Sequence, residues 1–159
     1  MSDPLRKRIW DARLDSKMNV RYFTYLSQRY ERRDRWTKIL IAITSSSSVG
    51  GWTFWAYLNP LWQILSGFTA VLAIISPIQN YPKLVGTLRD LSGRWQRTEY
   101  EWDKLWLKIE RGKQISTTDY ERVKLKELSL SKDGSGIPDE SELIKKCQQE
   151  VLVAEGVTK

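Results

Sequence analysis

The chain has 159 residues, 26 Lys and Arg against 19 Asp and Glu, a net charge of +7, no histidine and a single cysteine, Cys147. Without histidine or a second cysteine, zinc sites, an internal disulfide and Cys-His or Ser-His catalysis all lack their parts. No P-loop, dinucleotide fingerprint or well-spaced carboxylate cluster occurs either, so the sequence predicts no enzyme, no metal and no cofactor.

The first 38 residues carry eleven Lys and Arg against five Asp and Glu, which places most of the basic excess in this arm. Ile9, Trp10 and Leu14 predict a short opening helix. Phe23, Leu26, Tyr30, Thr37 and Leu40 follow at intervals of 3, 4, 7 and 3, which predicts one long helix over residues 18 to 58.

From Ile39 to Pro82 there are 44 consecutive residues without Asp, Glu, Lys or Arg, so all 45 charges lie outside that window. A helix needs about 20 apolar residues to cross a hydrocarbon core of about 30 Å. The window holds two such lengths, Ile39 to Leu58 and Leu61 to Ile78, separated by the turn signal Asn59-Pro60. A transmembrane hairpin is therefore expected. Arg32, Arg33, Arg35 and Lys38 precede it and Lys83, Arg89, Arg94 and Arg97 follow it, while the connecting turn has no cation. This asymmetry predicts that both termini are cytoplasmic. Trp52, Trp55, Tyr57 and Trp62 near the turn, and Trp36 and Tyr81 at the other end, suit the two headgroup levels.

Thr44 to Ser48 are five hydroxyl residues near the middle of the first span. Such hydroxyls can bond back to the carbonyl four residues earlier. Ala42, Ser46 and Gly50, like Ser47 and Gly51, also repeat at four, a spacing that lets helices pack closely in lipid. The face formed by Thr44, Ser47, Ser48 and Gly51 equally suits the wall of a narrow water path, and both meanings stay open at this point. Two helices cannot enclose water, so a path requires a homo-oligomer.

After Lys83, the residues Leu84, Leu88, Leu91, Trp95, Thr98, Trp102, Leu105 and Ile109 are spaced 4, 3, 4, 3, 4, 3, 4. This heptad stripe predicts a long cytoplasmic helix over residues 83 to 112, ended by Gly112. Its seam, Leu88, Leu91, Trp95, Trp102 and Leu105, is expected to pack within the subunit or between subunits, with Thr98 as its weak position. Thr118 and Glu121 form a capping box for a helix through about Leu130, with Tyr120 and Val123 inward. Residues 131 to 141, SKDGSGIPDES, read as a loop, and a last helix from about Glu140 to Glu155 carries Leu143, Ile144, Cys147, Val151 and Leu152 on one side. The expected organisation is all-α: an arm over 1–38, a membrane hairpin over 39–82, a long helix over 83–112 and a helix pair over 113–159.

The order of parts resembles the SLATT family. It is carried by the arm MNVRYFTYLSQRYERRDRW, the hydroxyl-rich first span, the short turn and second span, then YPKLVGTLRDLSGRWQRTEYEWDKLWLKIERG and the terminal pair around IPDESELIKKCQQEV, over residues 15 to 155. These are bacterial two-transmembrane effectors found beside nucleotidyltransferases or SLOG-type sensors in antiphage systems. The resemblance implies a pore-type effector in the bacterial inner membrane, oligomeric, controlled by a nucleotide made by a partner nucleotidyltransferase and acting in abortive infection. It offers no ligand residues to carry across. Arg32, Arg33, Arg35, Arg94 and Arg97 stand as a basic group suited to phosphates, of a nucleotide or of membrane lipid, with no stable duplex nucleic acid expected. A nonconducting anchor that presents cytoplasmic helices to a partner protein is the alternative reading.

Overall fold

The computed structural model describes residues 3–50, 67, 71 and 81–157. Among them lie four helices: α1 (Asp3–Gly50), α2 (Tyr81–Glu110), α3 (Thr117–Gly134) and α4 (Ser141–Ala154). The chain divides into two compact units, Met1–Leu26 with Thr87–Lys159, and Ser27–Gly86.

In the first unit the start of α1 packs antiparallel to α2. The rings of Trp10 and Trp106 meet at 4.8 Å, Arg13 reaches Asp103, and the hydroxyls of Thr24 and Ser92 lie 2.9 Å apart. Fourteen residues forward on α1, from Trp10 to Thr24, thus correspond to fourteen back on α2, from Trp106 to Ser92. Both helices present apolar or small side chains at heptad spacing to this contact. Ile9, Ala12, Ser16, Phe23 and Leu26 are buried on α1, and Leu88, Leu91, Trp95, Thr98, Trp102 and Leu105 on α2. Thr98 fits because its hydroxyl donates to the Arg94 carbonyl at 3.2 Å, so its own polar group is not left open in the seam.

α3 closes one side of this pair. Val123 joins Ile9, Ala12, Trp102 and Leu105 in one core, edged by Leu5, Trp106, Ile109, Ile115 and Tyr120. α4 buries Cys147 and Val151. The turn between α3 and α4 is pinned by Tyr22, whose hydroxyl donates to the Pro138 carbonyl and accepts from the Glu140 amide, each at 3.2 Å.

Helix ends follow local chemistry. Gly112 adopts φ +68, its amide donates to the Ile109 carbonyl and the Lys113 amide to Lys108, the paired bonds of a Schellman stop. Gly156 repeats the arrangement after α4, at φ +69. Three expectations are corrected. No break separates an opening helix from the long one, because α1 runs unbroken from Asp3 and neither Pro nor Gly stands between Leu5 and Val49. The Thr118 capping box is displaced by Ser116, whose side chain accepts from the Thr118 amide. Residues 131–134 remain helical, which shortens the expected loop to residues 135–140. Of the two meanings open for the seam, Leu88, Leu91, Trp95, Trp102 and Leu105 are buried within one chain.

The second unit is described over residues 27–50, 67, 71 and 81–86. Tyr30 and Tyr81 approach with ring centroids 6.0 Å apart, and Ser27 and Val85 are buried. Among the described residues no helix is long and apolar enough to cross a membrane. The expected first span is described only through Gly50; residues 39–50 are twelve residues, about 18 Å of helix, short of a hydrocarbon core of about 30 Å. The expected second span, apart from Gly67 and Val71, lies outside the described residues, as does the turn at Asn59-Pro60.

Trp102→Ala is expected to destabilise the first unit by about 3–5 kcal/mol, and Leu125→Ala, at an exposed position of α3, by no more than about 0.5 kcal/mol, in urea unfolding followed by circular dichroism. Trp95→Glu and Trp102→Glu should cost this unit its helical signal, since both rings are buried within the chain.

Candidate functional site

Thr44, Ser47 and Ser48 lie on the helical backbone of α1, and Gly51 lies outside the described residues. The same helix therefore carries the basic arm directly into the hydroxyl-rich stretch. Just before it, Arg32, Arg33 and Arg35 are exposed in the second unit. Arg33 sits 5.6 Å over the Tyr30 ring and Lys38 pairs with Asp34 at 2.6 Å. Arg32 and Arg35 make no ion pair among the described residues. Trp36, 59% exposed, projects from the same segment, followed by exposed Ile39, Leu40 and Ile43. Cations, an indole and bare aliphatic groups thus succeed one another along one helix.

Arg94 and Arg97, the other two members of the expected basic group, belong to the first unit. Arg94 is committed to Asp133 at 2.7 Å and to Asp90 at 3.7 Å, so much of its charge is already answered. Arg97 is exposed and makes no ion pair among the described residues. The five arginines do not form a single cluster within either unit.

Sequence reasoning missed the densest charge arrangement in the first unit. Arg13 reaches Asp103 at 2.5 Å and Glu155 at 2.8 Å, and Lys17 reaches Glu155 at 2.5 Å and Asp103 at 3.9 Å. These side chains are mostly buried, from 14% exposed at Arg13 to 33% at Asp103. Arg13 and Glu155 are 142 positions apart, so no local spacing announces the pair. Arg13 and Lys17 do fall one turn apart on the face of α1 that flanks the Ile9 and Ala12 stripe, and that is the only signal available.

The electrostatics follow the geometry. Burial opposes the charge on Arg13, yet the carboxylates of Asp103 and Glu155 hold its guanidinium more firmly protonated than usual. Burial likewise opposes the Glu155 carboxylate, but Lys17 and Arg13 together pull it below its ordinary value. Glu99, one turn before Asp103, is pushed up, chiefly by burial and with help from the Asp103 charge. With every charge answered, the cluster fastens the end of α4 to α1 and α2. Among the described residues no three His, Cys, Asp or Glu side chains are arranged to hold a metal.

Comparison with protein-family models, with curated proteins and with solved structures gives no match.

Glu155→Gln is expected to cost about 2 kcal/mol near neutral pH, because it leaves two largely buried cations short of a carboxylate. A carboxylate lowered by folding contributes stability above its ordinary value of 4.5 and loses it as pH falls through the folded value. Glu99 has the opposite sign: it favours folding below 4.5 and loses that contribution as pH rises through its raised value. Urea midpoints measured from pH 3 to pH 8 should therefore show a shallower acid decline in Glu155→Gln and a higher neutral plateau in Glu99→Gln.

Proposed function

We propose that the chain is a signal-gated membrane effector of the SLATT type. In this reading the uncharged window crosses the bilayer twice and, in an oligomer, the Thr44, Ser47, Ser48 and Gly51 face lines or packs a permeation path. The helical unit of Met1–Leu26 and Thr87–Lys159 is then the cytoplasmic control module, answering a nucleotide made by a partner nucleotidyltransferase and depolarising the inner membrane of an infected bacterium.

The observation that carries it is the pairing of a 44-residue uncharged window with a flanking unit that has already filled its own core. Ile39, Leu40 and Ile43 are exposed where the charges stop. In this reading lipid or another subunit supplies further apolar cover along this face. The topology agrees, because Met1–Leu26 and Thr87–Lys159 share one compact unit. Both ends of the intervening segment leave from it, so any crossing of a bilayer between them comes in an even number. The exposed Arg32, Arg33 and Arg35 with Trp36 suit an anionic headgroup layer at the point of entry. Because the heptad seam is used inside the chain, subunit contacts in this reading fall to the small residues Ala42, Ser46 and Gly50.

That same burial favours a second reading, a nonconducting membrane anchor whose helical unit engages a partner protein without assembling a pore. Expression in bacteria with a membrane-potential dye separates the two. Wild type is expected to depolarise cells once the control signal is present, and Ser47→Leu with Ser48→Leu to abolish this while the protein stays in the membrane fraction through a carbonate wash. A wash-resistant protein that never depolarises leaves the anchor reading, and release by carbonate removes both.

A further inference from the structure

At the outer end of the first unit, Arg6, Lys7 and Arg8 occupy the opening turns of α1. All three are exposed and none makes an ion pair among the described residues. Cations in the first turns of a helix oppose its dipole, so they add nothing to the stability of α1. Arg6 and Lys7 rim a groove whose floor is Trp10 and Trp106, and no carboxylate lines it.

The floor is fixed in advance. The two indole rings contact each other at 4.8 Å with an interplanar angle of 50°. Trp106 Nε1 donates to Glu110 Oε1 at 2.8 Å. The Arg6 guanidinium lies 5.5 Å over Trp106, and Arg13, anchored by Asp103 and Glu155, lies 5.0 Å over Trp10. Beside them Leu107 is exposed. Side chains already held in place lose little entropy when a ligand arrives, and Trp with Arg is the pairing that dominates binding energy at protein interfaces.

We propose that this groove docks an acidic segment of a partner protein, its carboxylates on Arg6 and Lys7 and an apolar side chain on Trp10 and Trp106. Charge complementarity selects the occupant, since Arg6 and Lys7 line the groove without an ion pair among the described residues and the neighbouring Glu110 carboxylate is held by the Trp106 N-H. A stacked nucleobase fits less well, because each indole already carries a guanidinium over its ring and touches the other indole. The inference stands whether or not residues 39–82 enter a bilayer.

The test uses the full chain in detergent and a fluorescein-labelled peptide of Glu, Asp, Leu and Phe, read by anisotropy at low salt. Saturable binding is expected, weakening as salt rises. It should fall about tenfold or more in Arg6→Glu with Lys7→Glu, whose positions are exposed and whose circular dichroism should not change. Trp106→Leu should weaken it as well, and the same peptide with Gln and Asn in place of its acids should not bind. Undiminished binding by the charge-reversed protein, or equal binding of the amide peptide, overturns the proposal. So does the absence of binding by the acidic peptide, whether or not phosphatidylglycerol vesicles or ATP bind in its place.

Discussion

The antiparallel contact between the first half of α1 and α2 is the constraint from which the rest of the first unit follows. It brings Thr24 and Ser92 within 2.9 Å, although 68 positions separate them. The chain therefore leaves this unit after Leu26 and rejoins it at Thr87. It also sets the surface on which α3 and α4 settle. Trp102 faces α3 through Tyr120, 5.7 Å away, and Tyr22 and Tyr25 reach the α3–α4 turn and Glu150 of α4.

The seam is unusual in using two tryptophans where leucine is common, and magnitudes say why this is tolerable. Trp95 and Trp102 each leave the indole N-H without a partner among the described residues. An open buried donor costs about 1–3 kcal/mol. Burying a ring of roughly 200 Å² returns about 5 kcal/mol, so the ring outweighs its orphan donor. The Ser16 hydroxyl is a similar small debt on the facing helix. Charge does the complementary work at the periphery, where Arg13 and Lys17 receive the end of α4 through Glu155. Apolar contact fixes which helices pair, and these ions fasten the end of the last helix to them.

How much of this was legible depends on the range of the interaction that decides it. The α2 stripe from Leu88 to Leu105 was readable because a 3.5-residue repeat is written in adjacent turns, and the stop at Gly112 because a left-handed residue has its own local chemistry. The continuity of α1 was not, because Asp15, Ser16 and Lys17 look like a polar interruption in one dimension. In three dimensions Ser16 is small enough to be buried in the seam and Lys17 turns aside to Glu155. The start of α3 was misplaced by two residues for a related reason: Ser116, Thr117 and Thr118 all qualify as caps, and only geometry chooses among them. The Arg13 cluster joins three segments distant in sequence, so nothing local records it.

The candidate site divides along the same line. Its composition is plain in the sequence, because 44 residues without a charge beside an arm rich in arginine is a contrast no average conceals once it is seen. Its partners are not, because whether a seam faces inward or toward a second chain is a question of tertiary closure. Leu88 and Trp102 are both fully enclosed in the first unit, while Ile39, Leu40 and Ile43 of the second are exposed. An exposed aliphatic helix next to Trp36 and three unneutralised arginines in water would lose roughly 25 cal/mol for each Å² left bare. That deficit is the physical basis of the proposed bilayer, in which hydrocarbon would cover the helix where the charges end and anionic headgroups would meet the arginines where they begin.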